Sequence, residues 1–184
     1  MMKTFASSIR QGAFLLTAMF ACSAYAGSEV QAVPQLDLKK YLGTWYEVAR
    51  KPMYFQNKCA YNVTAQYSLN ENGNVKVDNR YYQKDGKLMQ SEGEAFVQNA
   101  PANSKLKVSF LPKALRWLPV GRGDYWVLKI DPQYQMALVG APSQKYLWVL
   151  SRDPKPEPVL VQRYLDAAVQ QGYDLSDIIY TVQQ

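Results

Sequence analysis

A chain of 184 residues with a net formal charge of +6 has room for one domain and short appendages. At 48% hydrophobic and 13% aromatic it can bury a core, which excludes a disordered or low-complexity protein. The absence of histidine removes Ser-His-Asp and Cys-His catalysis, imidazole-bound zinc and histidine-ligated haem, and two cysteines are too few for an all-cysteine zinc site or a disulfide scaffold.

Residues 1–26 read as an export signal. Lys3 and Arg10 form a basic region, Gly12 to Ala21 an apolar run, and Ala24-Tyr25-Ala26 an A-x-A cleavage signature. The apolar run is about half the roughly 20 residues that a membrane-spanning helix needs. A second reading competes with this one. Met19-Phe20-Ala21-Cys22 resembles the bacterial lipobox, which would make residues 1–21 the signal and Cys22 a lipidated N-terminus. Both routes export the chain, to the periplasm or, with Cys22 lipidated, to the outer membrane. Residues 27–184 then form the folded domain. The remaining lysines and arginines are scattered, so no basic stripe speaks for nucleic acid. Cys59 is the thiol left to the domain, either a half-buried small side chain or an intermolecular partner, and monomer and homodimer both stay open.

Beyond the leader the pattern alternates with period two between turn signals. Strands are expected from Trp45, over Ala60 to Leu69, Val75 to Tyr82, Leu88 to Gln98, Leu106 to Phe110, Tyr125 to Ile130, Gln135 to Gly140 and Tyr146 to Ser151. Asn70-Glu71-Asn72-Gly73, Lys84-Asp85-Gly86-Lys87 and Ala141-Pro142-Ser143-Gln144 are turn signals between them. Leu111 to Gly123, with Pro112, Pro119, Gly121 and Gly123, is a long loop. The period then changes. Pro156 and Pro158 stand where a helix can start, Val161, Leu165, Ala168 and Val169 share one face, and Gly172 is a stop. Ile178 to Val182 reads as a short final strand.

Eight short strands joined by tight turns, then one helix, fit an all-β, eight-stranded antiparallel up-and-down barrel with an external C-terminal α-helix and a short last strand. A membrane barrel needs a continuous apolar outer band, and the lysines of the fifth strand interrupt one. In an up-and-down barrel alternate turns share an end, so Asp131 and Arg152 are expected to converge on Trp45. The opposite end is the mouth, with Lys51 to Lys58 and the loop Leu111–Gly123. Leu115, Trp117 and Leu118 beside Lys113, Arg116 and Arg122 suit an anionic membrane surface; the competing reading folds this loop over the barrel.

The segment Leu38-Lys39-Lys40-Tyr41-Leu42-Gly43-Thr44-Trp45-Tyr46-Glu47-Val48-Ala49-Arg50 resembles the first signature of the lipocalins, a G-x-W after a short helical turn. Tyr146-Leu147-Trp148-Val149-Leu150-Ser151-Arg152 is similar to the family's terminal arginine signature, whereas Ile130-Asp131-Pro132 keeps only the aspartate of the middle one. The likeness covers Asp37 to Val182 and is nearest to bacterial lipocalins of the apolipoprotein D branch. It implies a lipid-binding barrel whose arginine packs over the tryptophan, so Gly43, Trp45, Asp131 and Arg152 are expected to build the barrel floor.

With Arg152 turned into the floor, parity points Leu150, Trp148 and Tyr146 inward. Leu106, Val108 and Phe110 oppose Lys105 and Lys107, and Val63, Ala65 and Tyr67 oppose Thr64, Gln66 and Ser68. The family likeness adds Val77, Asn79, Tyr125, Val127, Ala137 and Val139. The cavity so drawn is apolar with a few polar tips and no buried cation, suited to a fatty acid or lysophospholipid. No metal or cofactor is implied. The competing readings are a protein-interaction module with an incidental pocket and, from a family likeness to a cysteine-dependent isomerase, an enzyme using Cys59 activated by Lys58 or a hydroxyl.

Overall fold

A computed structural model describes residues 29–184, so the expected export signal and Cys22 lie outside the described residues. A four-residue helix α1 (Leu38–Tyr41) leads into β1 (Gly43–Arg50). Seven strands follow: β2 (Tyr61–Leu69), β3 (Val75–Tyr82), β4 (Leu88–Val97), β5 (Lys105–Ser109), β6 (Arg122–Ile130), β7 (Met136–Gly140) and β8 (Leu147–Ser151). Helix α2 (Pro158–Gln170) and β9 (Ile179–Tyr180) complete the chain. Each of β1 to β8 pairs antiparallel with its sequence neighbour, and β8 pairs with β1, so the ring of eight closes. Closure removes the sheet edges that would otherwise invite pairing with other chains.

Two apolar clusters divide the burial. One fills the floor end of the barrel with Leu36, Tyr41, Trp45, Tyr67, Val75, Val77, Val127, Ala137, Val139 and Leu150. The other lies between the outer barrel face and α2, with Leu138, Leu147, Val149, Val161, Tyr164, Leu165 and Ala168. This is why all five residues of β7 are buried. Its alternate side chains serve different clusters, Ala137 and Val139 inside, Met136 and Leu138 under the helix.

The buried stripe of α2 is Val161, Tyr164, Leu165 and Ala168. Val169, expected on that face, is 55% exposed, and Tyr164 takes its place by donating to the Met136 carbonyl at 3.1 Å. Gly172, at φ +85°, ends the helix and turns Tyr173 back onto β7, where its hydroxyl bonds the N–H and carbonyl of Ala141. A Cβ on Gly140 would stand 2.2 Å from that hydroxyl, so glycine is required there.

β1 and β2 pair only from Gly43↔Tyr67 to Tyr46↔Thr64 and then part. The C-terminal tail fills the gap. Tyr180 and Ile179 pair with Ala49 and Arg50, Val182 bridges Tyr61, and the Gln183 amide donates to the carbonyls of Glu47 and Val63 at 2.8 and 2.9 Å. The last strand is thus outside the ring in pairing order but part of the wall near the mouth.

Candidate ligand-binding site

The closed end is built around Trp45, which is fully buried and donates from its indole nitrogen to the Tyr41 carbonyl at 2.8 Å. The Arg152 guanidinium lies 3.9 Å above its ring. Arg152 also donates to the carbonyls of Thr44, Lys40, Tyr41 and Leu42 at 2.6 to 3.2 Å, tying α1 to the barrel. Gly43, at φ +97°, brings the chain past the arginine; a Cβ there would lie 3.2 Å from its Nη1.

Asp131 does not join this group. Its carboxylate accepts from the N–H groups of Gln133, Gln135 and Met136 and so holds the turn between β6 and β7. Convergence of Asp131 on Trp45 is therefore corrected: the turn reaches Arg152 through the carbonyls of Tyr134 and Gln135 instead.

Arg152→Ala removes charge-assisted bonds to four carbonyls, two exposed and two half-buried, and a cation–π contact. We expect a loss of about 3 kcal/mol and a fall in Tm of about 10 °C, read by thermal denaturation. Arg152→Lys should recover little, because an ammonium has no planar fork.

Above the floor lies an open-mouthed cavity of about 540 Å³. Of the residues expected to face it, Val63, Ala65, Tyr67, Val77, Asn79, Leu106, Val108, Phe110, Tyr125, Tyr146, Trp148 and Leu150 line it. Phe110 sits at the rim, 47% exposed, with its ring over Gly93, where a Cβ would meet it at 2.8 Å. Val127, Ala137 and Val139 are fully buried in the floor cluster and are absent from the lining.

Sequence reasoning missed Val75 and Tyr81 of β3, Ser91 and Ala95 of β4, and both ends of the wall. Tyr41 and Leu38 of α1 seal the lower end, and Tyr54, Phe55, Gln56 and Cys59 of the first mouth loop hang over the upper one. The amphipathic short segment before Gly43 was the available signal for the lower end. The loop Lys51 to Lys58 has no periodicity that would place its side chains.

Near the mouth the wall carries a buried ion pair. Glu47 and Arg50 are 3% and 6% exposed and meet at 2.8 Å. Glu47 also accepts from Thr181 Oγ1 at 2.6 Å and Gln56 Nε2 at 2.8 Å, while Trp148 Nε1 donates to Gln56 Oε1 at 2.8 Å. Arg50 Nη2 reaches the carbonyls of Gln56 and Cys59 at 3.4 Å, and its Nε has no partner. The expectation of no buried cation is thus corrected. A bulge between Glu47 and Ala49 reverses the parity of β1, so Arg50 turns into the same region as Glu47.

Cys59 lines the cavity beside this pair. Burial, with Glu47 nearby, pushes its thiol up to about 11, so at neutral pH it is a protonated thiol and a poor nucleophile.

Deeper in, the hydroxyls of Tyr41, Tyr125 and Tyr67 form a chain with contacts of 2.8 and 2.9 Å. Burial raises all three phenols, Tyr67 to about 12 and the others well above the ordinary value of 10.0, so they are neutral hydrogen-bonding groups. Among the described residues no cluster of His, Cys, Asp or Glu could hold a metal ion.

Comparison with known proteins agrees with this geometry. A family model described as a lipocalin-like domain matches residues 36–183. The chain is 41% identical over 157 residues to temperature-induced lipocalin-1 of Arabidopsis thaliana, covering 84% of this chain and 83% of that protein. It is 40% identical over 155 residues to the outer membrane lipoprotein Blc of Escherichia coli K12, again covering 84% and 83%. Apolipoprotein D of Rattus norvegicus is 37% identical over 142 residues, covering 70% and 68%. Among solved structures, insecticyanin from Manduca sexta superposes with a TM-score of 0.65 at 21% identity, covering 83% and 84% of the two chains, and shares the fold. A closed eight-stranded barrel with an arginine over the G-x-W tryptophan, matched by the family model over nearly all of its length, belongs to the lipocalin family.

Proposed function

We propose that this lipocalin binds one long acyl chain per barrel, as a fatty acid or lysophospholipid, and carries or stores it in the bacterial cell envelope. The observation that carries the reading is the cavity: about 540 Å³, open at one end, and walled by aliphatic and aromatic side chains with few polar tips. That size and lining suit a small hydrophobic ligand. The envelope location is supported by the similarity to outer membrane lipoproteins and by the leader pattern in residues 1–26.

The rim supports uptake from a membrane surface. Tyr54 is 81% exposed, Trp117 72% and Val120 62%, with Lys58 and Lys113 in the same loops. Exposed aromatic side chains flanked by lysine suit an interface of lipid headgroups.

Native mass spectrometry of delipidated protein offered fatty acids, lysophospholipids and a sterol tests the carrier reading. The expected result is one acyl-lipid adduct per barrel, weakened at least about ten-fold in Ala65→Trp, which puts an indole into the cavity. A folded protein that takes up none of these lipids would overturn the reading.

A further inference from the structure

The cavity wall contains two polar groups that the protein leaves unsatisfied. Asn79 Oδ1 is buried without a hydrogen-bond partner. The tyrosine chain holds the second. Three phenols carry three protons, and the two contacts among Tyr41, Tyr125 and Tyr67 use two of them. Whichever way the chain runs, one O–H is left over.

Strand register brings the two groups together. Tyr67 on β2 faces Val77 on β3, and Asn79 is the next residue on the same inner face of β3. Such diagonal neighbours have Cα atoms about 7–8 Å apart, within reach of a phenol and an amide. All of these side chains line the cavity. Donation in the order Tyr41 to Tyr125 to Tyr67 leaves the free proton on Tyr67, one inward position along the neighbouring strand from the unpaired Asn79 oxygen. Donation along a chain also polarises its last member and makes it the stronger donor.

Water can serve a donor and an acceptor inside an open cavity, but an alkyl chain cannot. Covering both with methylene groups costs the desolvation of each. One ligand group satisfies both at once if it accepts and donates, and that is a hydroxyl. A ketone or ether serves the phenol alone. A carboxylate also only accepts, and would carry its charge deep among apolar side chains.

We propose that the cavity prefers acyl lipids bearing a hydroxyl along the chain, read by the Tyr67 O–H and Asn79 Oδ1. This rests on the acyl-chain reading above and names the ligand class more narrowly.

The test uses the full-length, delipidated protein and calorimetric titration with stearate, a series of monohydroxystearates differing in hydroxyl position, and the matching ketostearates. One hydroxy isomer should bind about ten-fold more tightly than stearate, with its ketone in between. The readout in each variant is the ratio of Kd for the hydroxy acid to Kd for stearate, so a general change of the cavity cancels. Asn79→Leu should reduce the hydroxy acid's advantage to that of the ketone, and Tyr67→Phe should remove most of both. No isomer binding better than stearate to the native protein overturns the inference without any variant. So does an advantage that survives both substitutions. Stearate and all its derivatives failing to bind folded protein would instead overturn the acyl-chain reading.

Discussion

Glu47→Ala is expected to destabilise the protein by about 3–5 kcal/mol, because it leaves the Arg50 guanidinium buried without its counter-charge. The side chain it removes holds four things together: Arg50 on the same strand, Gln56 of the mouth loop, Thr181 of the tail and, through Gln56, the indole of Trp148. For a chain of this size the loss corresponds to a fall in Tm of about 10 °C or more. Urea and thermal denaturation would read it. The double variant Glu47→Leu with Arg50→Met should recover most of the loss, since a buried ion pair gains little over well-packed apolar side chains. If Glu47→Ala alone costs under about 1 kcal/mol, the guanidinium has found water, and the pair is not the closed structural unit described above.

The second large effect is alkaline unfolding. Burial lifts the phenols of Tyr67, Tyr164 and Tyr173 to about 12, from an ordinary value of 10.0, and those of Tyr41 and Tyr125 well above it. A phenol that the fold keeps protonated contributes its full stability below pH 10. That stability drains as pH rises from 10 towards the folded value, because the unfolded chain ionises first. For the deeply buried Tyr67 the shift to about 12 corresponds to roughly 2–3 kcal/mol, while Tyr164 and Tyr173, nearer solvent, each add less; together they are a large part of the stability of a typical domain. The protein should therefore hold its fold to about pH 10 and unfold cooperatively between about 10 and 12. Tyrosinate absorbance and circular dichroism should change together in that window. Absorbance that rises with the fold intact would show the buried phenols to be accessible. Tyr164→Phe together with Tyr173→Phe should raise the unfolding pH by removing two of the titrating groups, at the cost of their bonds to Met136 and Ala141.

The buried Glu47–Arg50 pair shows where reading the sequence stopped. Trp45 and Glu47 alternate as one face of a strand should, and that face is inside. Extending the same alternation to Arg50 would point it away. The bulge at Val48 cancels that inference, and no glycine or turn residue marks it. Thr181, which completes the pair's bonds, lies 134 residues away along the chain. Only the meeting of the tail with the parted ends of β1 and β2 puts it there.

The order of the strands and the external helix follow from local signals, and the arginine over the G-x-W tryptophan is implied by the family resemblance. Period-two alternation needs only neighbouring residues to declare a strand, and Gly73, Gly86 and Gly172 mark breaks at positive φ, where other side chains are strained. Those same alternations, with the family likeness, placed twelve residues of the cavity wall, since a strand's inner face is fixed once one of its residues is fixed. What the sequence by itself could not decide is how the open and closed ends are finished. Tyr41 under the cavity, the mouth loop at Tyr54 to Cys59 and the tail between β1 and β2 are set by contacts between segments distant in the chain. Asp131 makes the same point in reverse: topology brought its turn to the floor, but three nearby N–H groups claimed the carboxylate before the tryptophan could.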